Sequence, residues 1–228
     1  MATLPNCSDP SGKRTVFLVD DHPLLRRGLG ALISGEPDLV VCGESATRSE
    51  ALEAIPKCRP DLAIIDMRLD GRDGLELVKE LGAIHPELLS LVLSTEDENI
   101  YAERALRAGA RGYITKQELD TTILDAIRCV LDGKMYLSKE MEVKFAQSYL
   151  GMRHPAGGAD IDSLTDRQLE VFRLIGRGLS TRQIAERLAL SVKTVESHRE
   201  HIKQKLSIHT GSELAQVAVS WVNSRETH

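Results

Sequence analysis

The chain has 228 residues, 42% of them hydrophobic and 28% charged, with a formal net charge of −5. That length is generous for one domain and comfortable for two, and the composition is the profile of a soluble globular protein. No apolar run approaches the roughly 18 residues of a membrane span, and "MATLPNCSDPSGKRT" lacks the apolar centre of a secretory leader. A cytoplasmic protein without membrane attachment is therefore expected.

Residues 1–14, with Pro5, Pro10 and Gly12, read as a flexible tail. Cys7, Cys42, Cys58 and Cys129 have no metal-type spacing and are expected to be reduced thiols. From residue 15 the chain alternates. Short β-branched runs occur at "TVFLV" (15–19), "DLVVC" (38–42), "LAII" (62–65), "LSLVL" (89–93) and "GYIT" (112–115). Amphipathic stretches separate them, and in "ELDTTILDAIRCVLDG" Leu119, Ile123, Ala126, Ile127 and Val130 recur at helical spacing. Continuous apolar strands between helices predict an α/β doubly wound fold, a five-stranded parallel sheet covered on both faces. Ligands of such sheets bind beyond the carboxyl ends of the strands.

Those ends carry the chemistry. The first strand runs into Asp20 and Asp21, the third into Asp66, the fourth into Ser94 and Thr95, and the fifth through Thr115 into Lys116. Taken singly, an aspartate at a strand end is a cap or turn residue, and "DD" before a helix is an N-cap. The coincidence at four strand ends is what indicates a site. Clustered carboxylates repel unless a cation joins them, and hard oxygen ligands favour a divalent ion such as Mg²⁺. A lysine and a hydroxyl opposite would hold phosphoryl oxygens, and a carboxylate can itself accept a phosphoryl group. Asp66 is expected to stand exposed at its strand end, free of the cost of a buried charge.

Residues 15–133 resemble a response-regulator receiver domain, through "VDDHPLLRRGL", "IIDMRLDGRDGLEL", "VLSTEDE" and "ARGYITK". The resemblance implies that Asp66 is the phosphoacceptor, taking its phosphoryl group from a sensor histidine kinase. It implies that Asp21, Asp66 and the backbone carbonyl of Arg68 bind Mg²⁺, with Asp20 helping through water. Ser94 matches the switch hydroxyl, Lys116 the family's lysine, and Tyr113 the aromatic that swings inward on activation. No enzyme activity is implied beyond self-phosphorylation from a donor and autodephosphorylation. One departure is Asp70, where the family usually has a proline that would stiffen the loop; Gly71 and Gly74 still permit a tight turn. Arg68 and Glu96, each two residues beyond a site residue, are expected to pair across the mouth and modulate the lifetime of the acyl phosphate. Two independent solvated side chains are the plain alternative.

Residues 134–160 read as a connecting helix and linker: "YLSKEMEVKFAQSYL" resembles the connecting helix of such proteins, and "LGMRHPAGGADIDS" loses periodicity and gathers Pro155, Gly157 and Gly158. From Ile161 to His228 ten Lys/Arg face eight Asp/Glu, a segment of +2 that leaves −7 for the remainder. That asymmetry fits a C-terminal domain facing nucleic acid.

The second domain, 161–228, is expected to be a small all-α four-helix unit. "TDRQ", "STRQ" and "TGSE" are capping boxes, and helices are predicted over about 166–177, 181–189, 192–206 and 211–223. Only "ALS" separates the second from the third, the helix-turn-helix arrangement, and the third helix should read DNA. Val195, Ile202 and Leu206 form its core stripe. Lys193, Thr194, Glu196, Ser197, Arg199, Glu200 and Lys203 are the candidate DNA contacts. Glu196 and Glu200 oppose phosphate attraction, but a carboxylate can accept from cytosine and so contribute selectivity. "LTDRQLEVFRLIGRGLSTRQIAERLALSVKTVESH" resembles the LuxR-type helix-turn-helix of NarL/FixJ response regulators. This implies a transcription regulator that binds double-stranded DNA as a homodimer, controlled by phosphorylation. Two other readings are a phosphohydrolase with an aspartyl nucleophile, disfavoured by Arg68 where an acid/base Asp is usual, and a ligand-sensing regulator with the same DNA-binding module.

Overall fold

The computed structural model describes residues 12–69, 72–149 and 161–226. Asp70, Gly71, residues 1–11 and residues 150–160, which hold most of the expected tail and linker, lie outside the described residues. The chain divides into two compact units, Met1–Gly151 and Met152–His228.

The first unit alternates strands and helices in the order β1 (Arg14–Val19), α1 (Pro23–Ser34), β2 (Leu39–Ser45), α2 (Arg48–Cys58), β3 (Leu62–Asp66), β4 (Arg68–Leu69), β5 (Arg72–Asp73), α3 (Gly74–Ile84), β6 (Leu89–Ser94), α4 (Glu98–Arg107), β7 (Gly112–Thr115), α5 (Leu119–Leu131) and α6 (Lys139–Tyr149). Five strands form one parallel sheet in the order β2-β1-β3-β6-β7. The order reverses between β1 and β3, so the crevice for a ligand opens where these two strands end. The register puts Asp66 level with Leu93 and Ser94 level with Thr115. Val16, Leu18, Ile64, Leu91, Leu93 and Ile114 from the strands pack with Ile123, Ile127 and Val130 of α5 and Ile33 of α1. Each such side chain contributes about 1.5–3 kcal/mol on burial, which is why these strands are apolar without alternation.

The short strands β4 and β5 pair antiparallel just beyond β3. After α5 the chain returns along the free edge of β7: Tyr136 N donates to Arg111 O at 2.9 Å and Tyr113 N donates to Tyr136 O at 3.1 Å. An otherwise open edge is thereby covered. The connecting helix α6 then settles on α4, where Ser138 N donates to Glu98 Oε1 at 3.0 Å and Met141 is buried.

The second unit holds a 3₁₀ turn (Ile161–Ser163) and helices α7 (Asp166–Gly176), α8 (Thr181–Arg187), α9 (Val192–Lys205) and α10 (Gly211–Glu226). Thr165 and Ser180 form full capping boxes with Gln168 and Gln183. Thr210 accepts from Glu213 N at 3.1 Å, but the Glu213 carboxylate reaches His209 N rather than closing the box. Phe172 of α7 meets Trp221 of α10 edge-to-face at 5.8 Å. The two helices cross so closely at Gly176 that a Cβ there would lie 2.5 Å from the Ala218 carbonyl oxygen. Arg167 ties the turn between α8 and α9 to α7, donating to the Leu188 carbonyl at 2.8 Å and to Glu170 at 2.8 Å. Among the described residues no helix is long and apolar enough to cross a membrane.

Candidate functional site

The carboxyl ends of β1, β3, β6 and β7 bring the charged residues of the sequence together. Lys116 Nζ donates to Asp66 Oδ2 at 2.7 Å and to Asp20 Oδ2 at 2.8 Å. The other Asp66 oxygen, Oδ1, accepts from Arg68 N at 3.2 Å, and Asp20 Oδ1 accepts from His22 N at 2.7 Å. Asp20 is further fixed through its carbonyl, which accepts from Arg26 Nη1 at 2.6 Å, while Arg26 Nε holds Glu44 at 2.8 Å. Asp21 is partly exposed beside them, its Oδ1 2.7 Å from His22 Nδ1.

Asp66 is 3% exposed, so the expectation of an open carboxylate is overturned. The strand end is covered by the Lys116 side chain and the loop after β3, and the buried charge survives because Lys116 pairs with it. Burial pushes the Asp66 carboxyl up to about 6, against the downward pull of Lys116. For Lys116, burial acts downward, but its bonds to Asp20 and Asp66 outweigh burial and the net shift is upward. At neutral pH Asp66 is thus mostly ionised, and more basic than a surface carboxylate, a combination suited to a nucleophile.

Asp20, Asp21, His22 and Asp66 each present a ligand atom, all within 4.8 Å of one another. Three of these donors are hard carboxylate oxygens, the chemistry that holds a small divalent cation. The loop after β3 must run tightly past this cluster: Gly74 N donates to Met67 O at 2.8 Å, and a Cβ on Gly74 would lie 2.1 Å from the Asp66 carbonyl oxygen. Only glycine fits there.

Around the mouth, Ser94 Oγ accepts from Glu96 N at 2.9 Å and donates toward Met67 Sδ at 3.6 Å. Lys116 N donates to Ser94 O at 2.7 Å, which joins β6 to β7 beside the site. Tyr113 is buried and faces inward, its hydroxyl donating to Glu96 O at 3.0 Å. Burial pushes its phenol well above the ordinary range. The Arg68 and Glu96 side chains meet, Nη2 to Oε1 at 3.2 Å. One short segment, Ser94–Glu96, therefore touches the hydroxyl, the aromatic and the loop after Asp66.

Sequence reasoning missed His22 and Arg26. Their adjacency to "DD" was visible, but only the first turn of α1 shows that one reaches the carboxylates and the other the Asp20 carbonyl.

The second candidate surface lies on α9. Ser191 caps the helix by accepting from Thr194 N at 3.0 Å. Val195 and Ile202 are fully buried and Leu206 nearly so, while Lys193, Glu196, Ser197, Glu200 and Gln204 are exposed. Thr194, Arg199 and Lys203 are half-buried at the margins of that face. Lys203 Nζ pairs with Glu200 Oε1 at 2.8 Å. The turn into α9 is sharp: Ala189 takes a left-handed φ of 50°.

Comparison with known proteins matches both units. The family described as "Response regulator receiver domain" matches residues 16–128, and "Bacterial regulatory proteins, luxR family" matches residues 162–218. The chain is 31% identical over 208 residues to the oxygen regulatory protein NreC of Staphylococcus haemolyticus, covering 90% of this chain and 96% of that one. It is 32% identical over 210 residues to the DNA-binding transcriptional activator DevR/DosR of Mycobacterium tuberculosis, covering 92% and 96%. A solved LuxR-family two-component response regulator from Aurantimonas sp. SI85-9A1 superposes with a TM-score of 0.56 at 28% identity, over 60% of this chain and 99% of that one.

Proposed function

The chain belongs to the NarL/FixJ-type response regulators, DNA-binding transcription regulators with a receiver domain and a LuxR-type helix-turn-helix, and from that membership we propose that Asp66 is its phosphoacceptor and α9 its reading helix. The receiver spans 15–133, the connecting helix and linker 134–160, and the DNA-binding domain 161–228. An Asp66 carboxylate oxygen attacks the phosphorus of a phosphohistidine on a sensor kinase. The P–O bond forms as the P–N bond breaks, and the imidazole leaves with a proton. Water later cleaves the acyl phosphate to inorganic phosphate and restores the carboxylate.

The observation that carries this reading is Lys116 joining Asp66 and Asp20 at 2.7 and 2.8 Å within a cluster of acid ligands. Asp20, Asp21, Asp66 and the Arg68 carbonyl would hold Mg²⁺, which when bound offsets the charge of the phosphoryl oxygens. Lys116 is placed to bind one phosphoryl oxygen, and the Ser94 hydroxyl, now on Met67 Sδ, to turn onto another. That turn would release Glu96 N and so reach Tyr113. Arg68 and Glu96 would shield the acyl phosphate from water.

Lys193, Thr194, Glu196, Ser197, Arg199, Glu200 and Lys203 form the DNA face, and a homodimer in the cytoplasm would read paired half-sites about one helical turn apart. Arg68 stands where an aspartyl phosphohydrolase would keep its acid/base Asp, so lasting turnover is not expected. The test is incubation with a small acyl phosphate and Mg²⁺ followed by mass spectrometry of the intact chain and its peptides. One phosphoryl group on Asp66, absent in Asp66→Asn, is expected; labelling elsewhere, or steady release of product, would overturn the assignment.

A further inference from the structure

We propose that Glu196 reads a cytosine in each DNA half-site, and that Glu200, one turn further on, does not. The inference rests on α9 being the reading helix and names the base that this helix selects.

The two glutamates differ in their surroundings. Glu200 is 62% exposed but its carboxylate is held by Lys203 Nζ at 2.8 Å, and Lys203 is itself only 19% exposed. Its charge is offset within the helix. Glu196 is exposed and makes no ion pair among the described residues. It also lies in the first half of α9, the half that a helix-turn-helix places against base edges. Val192, four residues earlier on the same stripe, leaves 43% of its surface open, the kind of contact a thymine methyl takes.

A carboxylate only accepts hydrogen bonds. In the major groove it is repelled by phosphates and by the N7 and O6 acceptors of guanine. Adenine offers an N6 donor beside an N7 acceptor, so attraction and repulsion oppose each other. Cytosine offers its N4 donor with no neighbouring acceptor on that edge. Glu196 therefore weakens binding to DNA at large and recovers affinity only where a cytosine meets it. Glu200 already gives its Oε1 to Lys203, which offsets its charge and fixes its direction.

The test uses the full chain with a small acyl phosphate and Mg²⁺, and selects bound duplexes from a random pool with wild type, Glu196→Gln and Glu200→Gln. Both glutamates are exposed, so neither change threatens the fold. Wild type is expected to select one cytosine per half-site, and replacing that base should weaken binding roughly 5- to 150-fold. Glu196→Gln should lose that preference and bind unrelated DNA more tightly, while Glu200→Gln, which removes a charge from the same face, should change affinity for all duplexes alike and keep the cytosine preference. A cytosine preference that survives Glu196→Gln, or that disappears in Glu200→Gln, would overturn the proposal. Failure of wild type to select any motif would instead overturn the reading of α9 as a recognition helix.

Discussion

Asp66 and Glu196 are both carboxylates on functional surfaces, and the protein treats them in opposite ways. Asp66 is buried and held by Lys116 at 2.7 Å, whereas Glu196 stands in solvent with no ion pair among the described residues. The receiver site carries its own counter-charge and is organised before any ligand arrives. On the α9 face Glu200 is paired with Lys203, but Glu196 is left open for a partner that supplies the donor itself. A preorganised site costs stability when one member is removed; an open face costs only binding.

The largest expected contrast comes from Lys116→Ala. Two buried carboxylates would then face each other without a cation, and denaturant unfolding in chelator should show a loss of about 3–5 kcal/mol. Added Mg²⁺ should restore part of it through binding to the folded form. A loss below about 1 kcal/mol would mean that Lys116 is not the counter-charge inferred from its geometry.

The pH dependence of Asp66 is next in size. Its folded value, about 6, lies above the ordinary 3.8, so the folded state binds this proton more readily than the unfolded chain does. The contribution to stability is fully present below about pH 4 and is lost as pH rises through 6. It amounts to at most about 3 kcal/mol. Other carboxylates titrate in the same window, so the readout is the difference between wild type and Asp66→Asn in chelator. That difference should move in favour of Asn as pH rises from 4 to 7; a flat difference would contradict a buried, raised carboxyl.

Smaller still is the Arg68–Glu96 pair, which is part-exposed at 3.2 Å. Such pairs are worth about 0–1 kcal/mol, so Arg68→Ala and Glu96→Ala should each speed loss of the acyl phosphate by no more than about fivefold. The double variant should be no faster than the quicker single one. Two unchanged rates would show independent side chains. On the open face, Lys193→Ala should leave stability within about 0.5 kcal/mol while lowering the salt slope of DNA binding by about 1.

The same contrast governs how much the sequence could convey. Asp20, Asp66, Ser94 and Lys116 were legible because apolar strands end abruptly in polar residues, and parallel strands place all their ends on one edge. The core stripe of α9, Val195, Ile202 and Leu206, was legible from its spacing. The burial of Asp66 was not, since it depends on how Lys116 and the loop after β3 close over the strand end. The β4–β5 pair was missed because two residues are too short to show a period. The capping box of Thr47 and Glu50 was present as "TRSE" and passed over. On α9 the outward residues could be named, but not that Lys203 pairs with Glu200 while Glu196 makes no pair with Lys193 or Arg199, each three residues away and within reach along a helix.

We propose that phosphorylation at Asp66 governs DNA binding by the second unit. It is tested most directly by measuring the affinity of the full-length protein for a selected duplex, with and without a small acyl phosphate and Mg²⁺, in wild type and Asp66→Asn. The predicted result is a donor-dependent change in wild type and none in the variant. An equal response of the two proteins, or a wild-type affinity that the donor leaves unchanged, would contradict it.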